Sequence, residues 1–497
     1  MKVSFSNSTI YNFILPFLFL FFVPNHRESN SSIDNFLQCL PTKSSTPISN
    51  DVFTPNNRSF LRVLQAYVQD SRFNTSSTSK PLAIITALHV SHVQATILCA
   101  KANGLAIRIR SGGHDFEGFS YVAQVPFIIL DMFNLRSVDI DQPNESAWVQ
   151  AGATLGELYY KIANLSKIHA FPSGICNTVC AGGHFSGGGY GEDLFWAIKG
   201  GGGASFCVIL SWKIKLVRVP EIITVFRIHK TLEQDATSVV LQWQQVATKL
   251  DKNLFIRVEP QVQFLQGGRK TVRVSFIGTY LGRAESLVPI MNTNFPILGL
   301  IKSDCIEMSW IKTSLFWNNL PQTTPIEVLL QRTPSPPHNF QKHKSDFVKN
   351  PIPRSGLETI WKKMIEVESV ILQWNPYGGL MSEIPENATP FPHRKGILFK
   401  MQYITIWQDE SNQALIKNIK ATRELHATFT PYVSSNPRQA FLNYRDIDIG
   451  TNVNGSLSFA KDFFMGNLNR LLQVKAMVDP SNFFRDEQSI PILSSSQ

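Results

Sequence analysis

Three glycine clusters in the first half of the chain limit its possible folds more than any other feature. They are Arg110-Ser-Gly-Gly-His-Asp-Phe-Glu-Gly118, Ala181-Gly-Gly-His-Phe-Ser-Gly-Gly-Gly-Tyr-Gly191 and Gly200 to Gly203. Glycine lets backbone N–H groups approach an anion closely and turn with positive φ. One such cluster alone reads as a tight turn or a linker; the flanking segments decide otherwise. Residues 89–102 carry apolar positions at helical spacing (Val90, Val93, Ile97, Leu98) and stop at Asn103-Gly104, a helix-terminating pair. Residues 105–110 then alternate as a strand and run straight into Ser111-Gly112-Gly113-His114. Residues 127–130 and 148–151 read as further strands, and Thr154 with Glu157 forms a capping box that opens a helix. A strand feeding a glycine loop is a cradle for a pyrophosphate, so a dinucleotide is expected. The Rossmann spacing with its following acidic residue is missing, which disfavours NAD.

A chain of 497 residues exceeds one ordinary core, so two domains are expected. After Val217 the character changes. Residues 232–250 predict one long amphipathic helix. Residues 254–264 and 271–280 predict a hairpin turning at Gly267-Gly268. A strong strand over 397–407 and a helix over 412–427 follow, and a helix over 461–477 closes the chain. This region reads as a second, antiparallel α+β domain.

The N-terminus reads as an export signal: Lys2, an apolar run over 13–23, then polar residues. That run is too short for a membrane span, and nothing later is long and apolar enough. The Asn-x-Ser/Thr sequons at Asn30, Asn57, Asn74, Asn144, Asn164, Asn387 and Asn454 agree with export. The net charge of +10 is scattered without a dense basic run, which argues against nucleic acid and for attraction to an acidic cell-wall matrix. No cysteine pair or Cys/His cluster has zinc spacing, so no metal is expected. In an oxidising compartment Cys39 pairs with Cys99, tying a polar N-terminal arm to a helix, while Cys305 reads as a buried free thiol.

Several ordered motifs resemble the plant berberine bridge enzyme-like FAD-linked oxidases. They are Arg-Ser-Gly-Gly-His-Asp, Cys176-Asn-Thr-Val, Gly-Gly-His184-x-Ser-Gly-Gly-Gly-Tyr, Glu-Asp-Leu-Phe-Trp-Ala-Ile, Asn375-Pro-Tyr-Gly-Gly, Pro392-His-Arg-Lys-Gly, Asn443-Tyr-Arg-Asp and the tail from Val478-Asp-Pro. The resemblance runs from about Cys39 to the C-terminus. It implies an α+β fold, with a two-part FAD-binding domain of the PCMH type formed by both chain ends and an antiparallel-sheet substrate domain between them. The expected divisions are a signal at 1–28, FAD-binding parts at 29–218 and 436–497, and a substrate domain at 219–435.

The resemblance also implies that His114 and Cys176 bond the flavin at its 8α and C6 positions. Imidazole nitrogen and thiolate are good nucleophiles toward an electron-poor ring. Arg110, Ser111, Gly112, Gly113, Asp115, Gly118, Val179, Gly182, Gly183, His184, Ser186 and Gly187 complete the expected cofactor contacts. A small valine at 179 goes with oxygen reactivity in the family. Lys400 and Gln402, two apart on a strand, share one face. With Tyr444 and Tyr190 they match the residues of alcohol-oxidising members, in which Lys400 would lower the pKa of a Tyr444 base. Glu383 matches the base of alkaloid-cyclising members. The resemblance implies a monomer that oxidises a small-molecule alcohol (monolignol, carbohydrate or other secondary metabolite) and returns electrons to O2. Oxidative cyclisation of an alkaloid-like substrate is the second reading.

The chain departs from the family pattern at Gly191-Glu192, where two motifs abut that are normally separated. On the order of thirty residues are absent, enough for a pair of strands and their turns. That leaves open a secreted protein that keeps the fold without flavin. Cys180 and Cys207 also stand where glycine is usual.

Overall fold

The computed structural model describes residues 26–181, 192–333, 339–452 and 456–492. Near the N-terminus, β1 (Val52–Phe53), β2 (Ile84–Thr86), β3 (Ala106–Arg110) and β4 (Phe127–Asp131) form a sheet ordered β1-β2-β4-β3. The last three run parallel, and every residue of β4 is buried, as expected for a strand covered on both faces. The helix Val90–Ala102 crosses from β2 to β3 and stops at Asn103, where Gly104 takes a φ of +64°. The strands β5 (Val138–Asp141), β6 (Ser146–Gln150), β7 (His169–Ala170), β8 (Ser211–Lys215) and β9 (Val217–Arg218) follow. β5, β6 and β8 pair antiparallel, as do β7 and β9. Thr154 and Glu157 form the expected capping box on the helix Leu155–Leu165.

The middle of the chain builds a seven-stranded antiparallel sheet. Its strands are β10 (Ile223–Thr231), β11 (Leu254–Phe264), β12 (Lys270–Tyr280), β13 (Cys305–Met308), β14 (Phe340–Val348), β15 (Val370–Pro376) and β16 (Phe399–Trp407). The order is β13-β10-β12-β11-β15-β16-β14. The β11–β12 hairpin turns over Gln266–Gly268, where Gly267 and Gly268 hold φ of +73° and +75°. One face of the sheet carries Phe226, Ile256, Val258, Phe276, Trp374, Phe399, Met401 and Tyr403, buried under the helices Ala236–Val246, Arg354–Val367 and Asn412–Thr428. The buried members of this core all come from residues 226–429. Another core joins Trp196 and Phe206 to Phe459, Phe463, Leu471 and Ile490, so the two ends of the chain pack together.

Four expectations are corrected. The single helix over 232–250 is broken at Asp235, which takes a φ of +53° and accepts a hydrogen bond from the Ser238 amide, so the helix runs Ala236–Val246. The helix over 461–477 is two helices, Ser458–Phe464 and Leu468–Val478, with Met465 at +46° between them. The break lets Phe463 and Leu471 enter one core from different directions. Cys305 is half-buried rather than buried, because β13 is an edge strand paired only with β10. The disulfide between Cys39 and Cys99 is present, yet Cys39 lies on a helix, His26–Lys43, and not on an irregular arm. Phe36 and Leu40 bury that helix against the Val90–Ala102 helix. Among the described residues no helix is long and apolar enough to cross a membrane. Asn57, Asn74, Asn144, Asn164 and Asn387 are exposed; the Asn30 side chain and Asn454 lie outside the described residues.

Candidate active site

The first glycine loop leaves the carboxyl end of β3 and packs directly on residues 176–180. A Cβ on Gly112 would sit 2.8 Å from the Thr178 carbonyl, and one on Gly113, at φ +66°, would sit 2.0 Å from the Tyr67 carbonyl. Larger residues are therefore excluded at both positions. His114 reaches across the same contact, with Nε2 2.9 Å from Thr178 Oγ1. Cys176 stands in the facing loop with a free, solvent-accessible thiol. The thiol lies deep enough among protein atoms that its pKa is raised by loss of solvation, and Arg257 pulls it partly back. Two nucleophile-bearing loops thus adjoin, as a doubly tethered ring requires.

Ion pairs fix the glycine loop. Asp115 meets Arg445 Nε at 3.2 Å and accepts the Glu117 amide at 2.9 Å. Glu117 meets Lys342 Nζ at 2.5 Å, and Arg445 continues to Asp486 at 2.8 Å. Gly118, at φ +73°, lies against the Phe73 ring. Arg110 has a different role from the one expected. Its guanidinium is fully buried, paired with Asp131 at 2.6 Å and bonded to the Leu64 and Val63 carbonyls. It braces β3 against β4, and its side chain is committed to the fold. Ser111 is half-buried in the same turn, and Val179 packs, half-buried, against the core beside Leu155 and Trp212. A cavity of about 280 Å³ opens where β2 and β4 end, lined by Tyr67, Thr86, Asp131 and Phe133. The carboxyl ends of parallel strands are where α/β sheets hold nucleotides.

The substrate side is the polar face of the seven-stranded sheet. Cross-strand partners point to one face, so register alone assembles a row: Arg227 opposite Ile277, Ile277 opposite Arg257, and Asn375 opposite Lys400. Arg257 Nε donates to Asn375 Oδ1 at 2.8 Å and closes the row. The next row holds Ser275, Glu259, Gln373, Gln402 and Ser345, with Gln373 Nε2 donating to Glu259 at 3.1 Å. Lys400 and Gln402 share this face, while Phe399, Met401 and Tyr403 enter the core. Lys400 Nζ stands 4.5 Å from the centre of the Tyr444 ring and 3.9 Å from that of Phe441. Gln402 Nε2 lies 3.0 Å from His343 Nδ1, and the His343 ring stacks on Phe116 of the glycine loop.

The electrostatics differ from expectation. Burial and the nearby Arg257 charge draw the Lys400 pKa down to about 7, which brings the neutral amine within reach of physiological pH. Tyr444 is pushed up to about 12 by burial, and the cation that pulls it back is Arg257. Arg257 was not singled out from sequence, because its position under Tyr444 and Cys176 depends on strand pairing. His343, also missed, is kept neutral by burial and by the Arg72 and Lys342 charges, its pKa lowered to about 3. Glu383 is exposed at the end of the short helix Leu380–Glu383, and among the described residues no hydrogen bond or ion pair joins it to this cluster. Tyr190, Gly182, Gly183, His184, Ser186 and Gly187 lie outside the described residues.

The chain matches a family model for an FAD binding domain over residues 81–197 and one for berberine and berberine-like proteins over 440–491. It is 52% identical to berberine bridge enzyme-like 3 and 50% identical to berberine bridge enzyme-like 4, both of Arabidopsis thaliana. These alignments cover 93% and 92% of this chain and 94% of each relative. The chain belongs to the berberine bridge enzyme-like family. Among solved structures, BBE-like #28 from A. thaliana superposes with a TM-score of 0.86 at 39% identity, covering 93% of this chain and 100% of that one. Wild-type Phl p 4.0202, a glucose dehydrogenase, superposes at 0.85 with 36% identity and the same coverage. An isoleucine-to-valine variant of the grass pollen allergen Phl p 4, described as a glucose oxidase, reaches 0.86 with 37% identity, again covering 93% and 100%. As a berberine bridge enzyme-like protein the chain is an FAD-dependent oxidoreductase. The alignments with the two Arabidopsis relatives run over 504 and 501 positions, longer than this 497-residue chain, so those relatives carry residues that it lacks.

The residues present fit FAD. His114 and Cys176 offer an imidazole nitrogen and a free thiol on adjoining loops, and Gly112 and Gly113 keep the backbone there clear of side chains.

Proposed function

We propose that this protein is exported, carries FAD bonded to both His114 and Cys176, and oxidises the hydroxyl group of a small-molecule alcohol. The observation that carries this reading is Lys400, a desolvated amine 4.5 Å from the centre of the Tyr444 ring, on a sheet face shared with Arg257 and Gln402. When bound, FAD supplies the hydride acceptor and, on reoxidation by oxygen, yields hydrogen peroxide. The chain's own residues handle the proton. Burial keeps Tyr444 protonated at rest; its proton passes to the neutral Lys400 amine, present above about pH 7, only as Tyr444 takes the substrate's hydroxyl proton and hydride leaves, with Arg257 stabilising the charge that builds on the phenol oxygen. Gln402, held by neutral His343, offers an amide to orient the alcohol oxygen.

Oxygen as the acceptor is supported by the family resemblance, which ties a small valine at 179 to oxygen reactivity. The Phl p 4 chain described as a glucose oxidase differs from a glucose dehydrogenase by an isoleucine-to-valine change, so a smaller side chain in this fold accompanies oxidase behaviour. The test is to purify the secreted chain, denature it, and look for flavin that travels with the polypeptide. Visible absorbance and masses of the His114 and Cys176 peptides should show a flavin adduct on each. Peroxide release should follow with alcohol substrates. A colourless chain with unmodified peptides overturns the reading.

A further inference from the structure

The row that ends in Lys400 continues past Arg257 to Arg227, away from Tyr444. With neighbouring strands roughly 4.8 Å apart, Arg227 lies about 10 Å from Arg257 across β12. Arg273, two rows on along the same face, lies opposite Gln261. The face therefore presents three arginines and Lys400. Its carboxylate, Glu259, is held by Gln373 at 3.1 Å. Among the described residues none of these four cations meets a carboxylate within ion-pair distance. Arg257 donates instead to the Asn375 amide, and its guanidinium lies 5.0 Å from the Trp317 ring.

Arg227 is the most exceptional of the four. Its Nε is buried without a hydrogen-bond partner, and its guanidinium stacks over Phe316 at 5.1 Å. Leaving a buried N–H unpaired costs about 1–3 kcal/mol, and among the described residues no hydrogen bond or ion pair commits the Arg227 guanidinium to the fold. A cavity of about 400 Å³ opens beside it, lined by Arg227, Phe316, Asn319, Leu320, Pro321 and Gln322. The same segment touches the flavin side of the site: Asn318 Nδ2 donates to the Ile175 carbonyl, next to Cys176, at 2.8 Å. The cavity is thus joined through the helix Trp310–Trp317 and its following turn to the place where oxidation is proposed.

We infer that this outer cavity recognises the carboxylate of an acidic alcohol substrate, with Arg227 as its anchor and Arg257 between that anchor and the reacting hydroxyl. The planar guanidinium fork matches a carboxylate in two-point fashion, and Asn319 and Gln322 supply neutral amides at the rim. Phe316, Leu320 and Pro321 give an apolar wall, which suits a ring-bearing organic acid over a hydrated inorganic anion. This assignment rests on the proposed reading of Lys400 and Tyr444 as the alcohol-oxidising end.

The test uses the purified full chain and a matched pair of probes, 4-(hydroxymethyl)benzoate and its neutral amide, titrated calorimetrically. The acid should bind at least about tenfold tighter, in line with a charge-assisted two-point contact. Arg227→Met should abolish that preference and Arg227→Lys should restore part of it, while neither variant lowers the thermal midpoint. Equal affinity for acid and amide, or an undiminished preference in Arg227→Met, overturns the inference. Peroxide release measured in parallel separates it from the oxidase reading. Peroxide with no acid preference sinks the carboxylate site alone. An acid preference lost in Arg227→Met, with no peroxide, supports the site and leaves the oxidase reading to fall.

Discussion

Lys400 is an amine placed where its charge is costly. Burial and Arg257 hold its pKa near 7, against 10.5 when free. The sign follows directly: the ammonium form is disfavoured in the fold, so the neutral amine is present above about pH 7 and lost below it. If Lys400 takes the Tyr444 proton, kcat/KM should fall as pH drops through about 7, and Lys400→Met should be slow with that acid limb gone. Stability moves the same way: protonation of Lys400 weighs fully against folding below about pH 7 and is relieved as pH rises toward 10.5. Tyr444→Phe should lower kcat by about 10²–10⁴-fold while the flavin adducts remain. An unchanged pH profile in Lys400→Met would remove Lys400 from proton transfer. The sequence made Lys400 and Gln402 visible because a strand alternates with period two. It hid Arg257, more than 140 positions from Lys400, because only the β11–β15–β16 register brings the two together.

Strand β14 shows what local pattern reading misses at the scale of an element. Its sequence alternates Lys342, Lys344 and Asp346, which resembles the solvent-facing side of an edge strand, and β14 does lie at the sheet edge. All three are nevertheless buried. Lys342 pairs with Glu117 at 2.5 Å and Asp446 at 2.8 Å, Lys344 pairs with Asp446 and Asp448, and Asp346 takes Arg438 at 2.6 Å. Their partners come from the glycine loop and the C-terminal segment, so the edge is covered by the flavin side of the molecule. Breaking a buried pair leaves an uncompensated charge and costs about 3–5 kcal/mol. Lys342→Met should therefore lower the unfolding free energy obtained from denaturant titration by that order, and adding Glu117→Gln should recover part of the loss. A single variant as stable as the parent would mean that solvent already reaches the pair. The hairpin at Gly267-Gly268 was legible because its turn chemistry is local. The breaks at Asp235 and Met465 were not, because each is set by a core that the neighbouring helices must enter from two directions.

At the scale of the whole molecule, the chain leaves the flavin side and returns to it. Trp196 and Phe206 share a core with Phe459 and Leu471, and Arg108 of β3 bonds Glu487 at 2.8 Å and the Arg485 carbonyl at 2.6 Å. Composition and periodicity carry no sign of such closure, since contacts across almost 380 positions leave no local pattern; the ordered motifs at both ends did. The stretch between the ends is different. Its core draws its buried residues from 226–429 alone, and its sheet pairs only within itself. A unit with its own closed core should fold alone. We therefore predict that the segment 219–435, expressed by itself, unfolds in urea as one cooperative transition with an antiparallel-sheet circular dichroism spectrum. The flavin-side segments 29–218 and 436–492 should each fail to do so, because their shared core is split. A non-cooperative middle segment would show that the buried ion pairs of β14, rather than the apolar face beneath them, hold the sheet together.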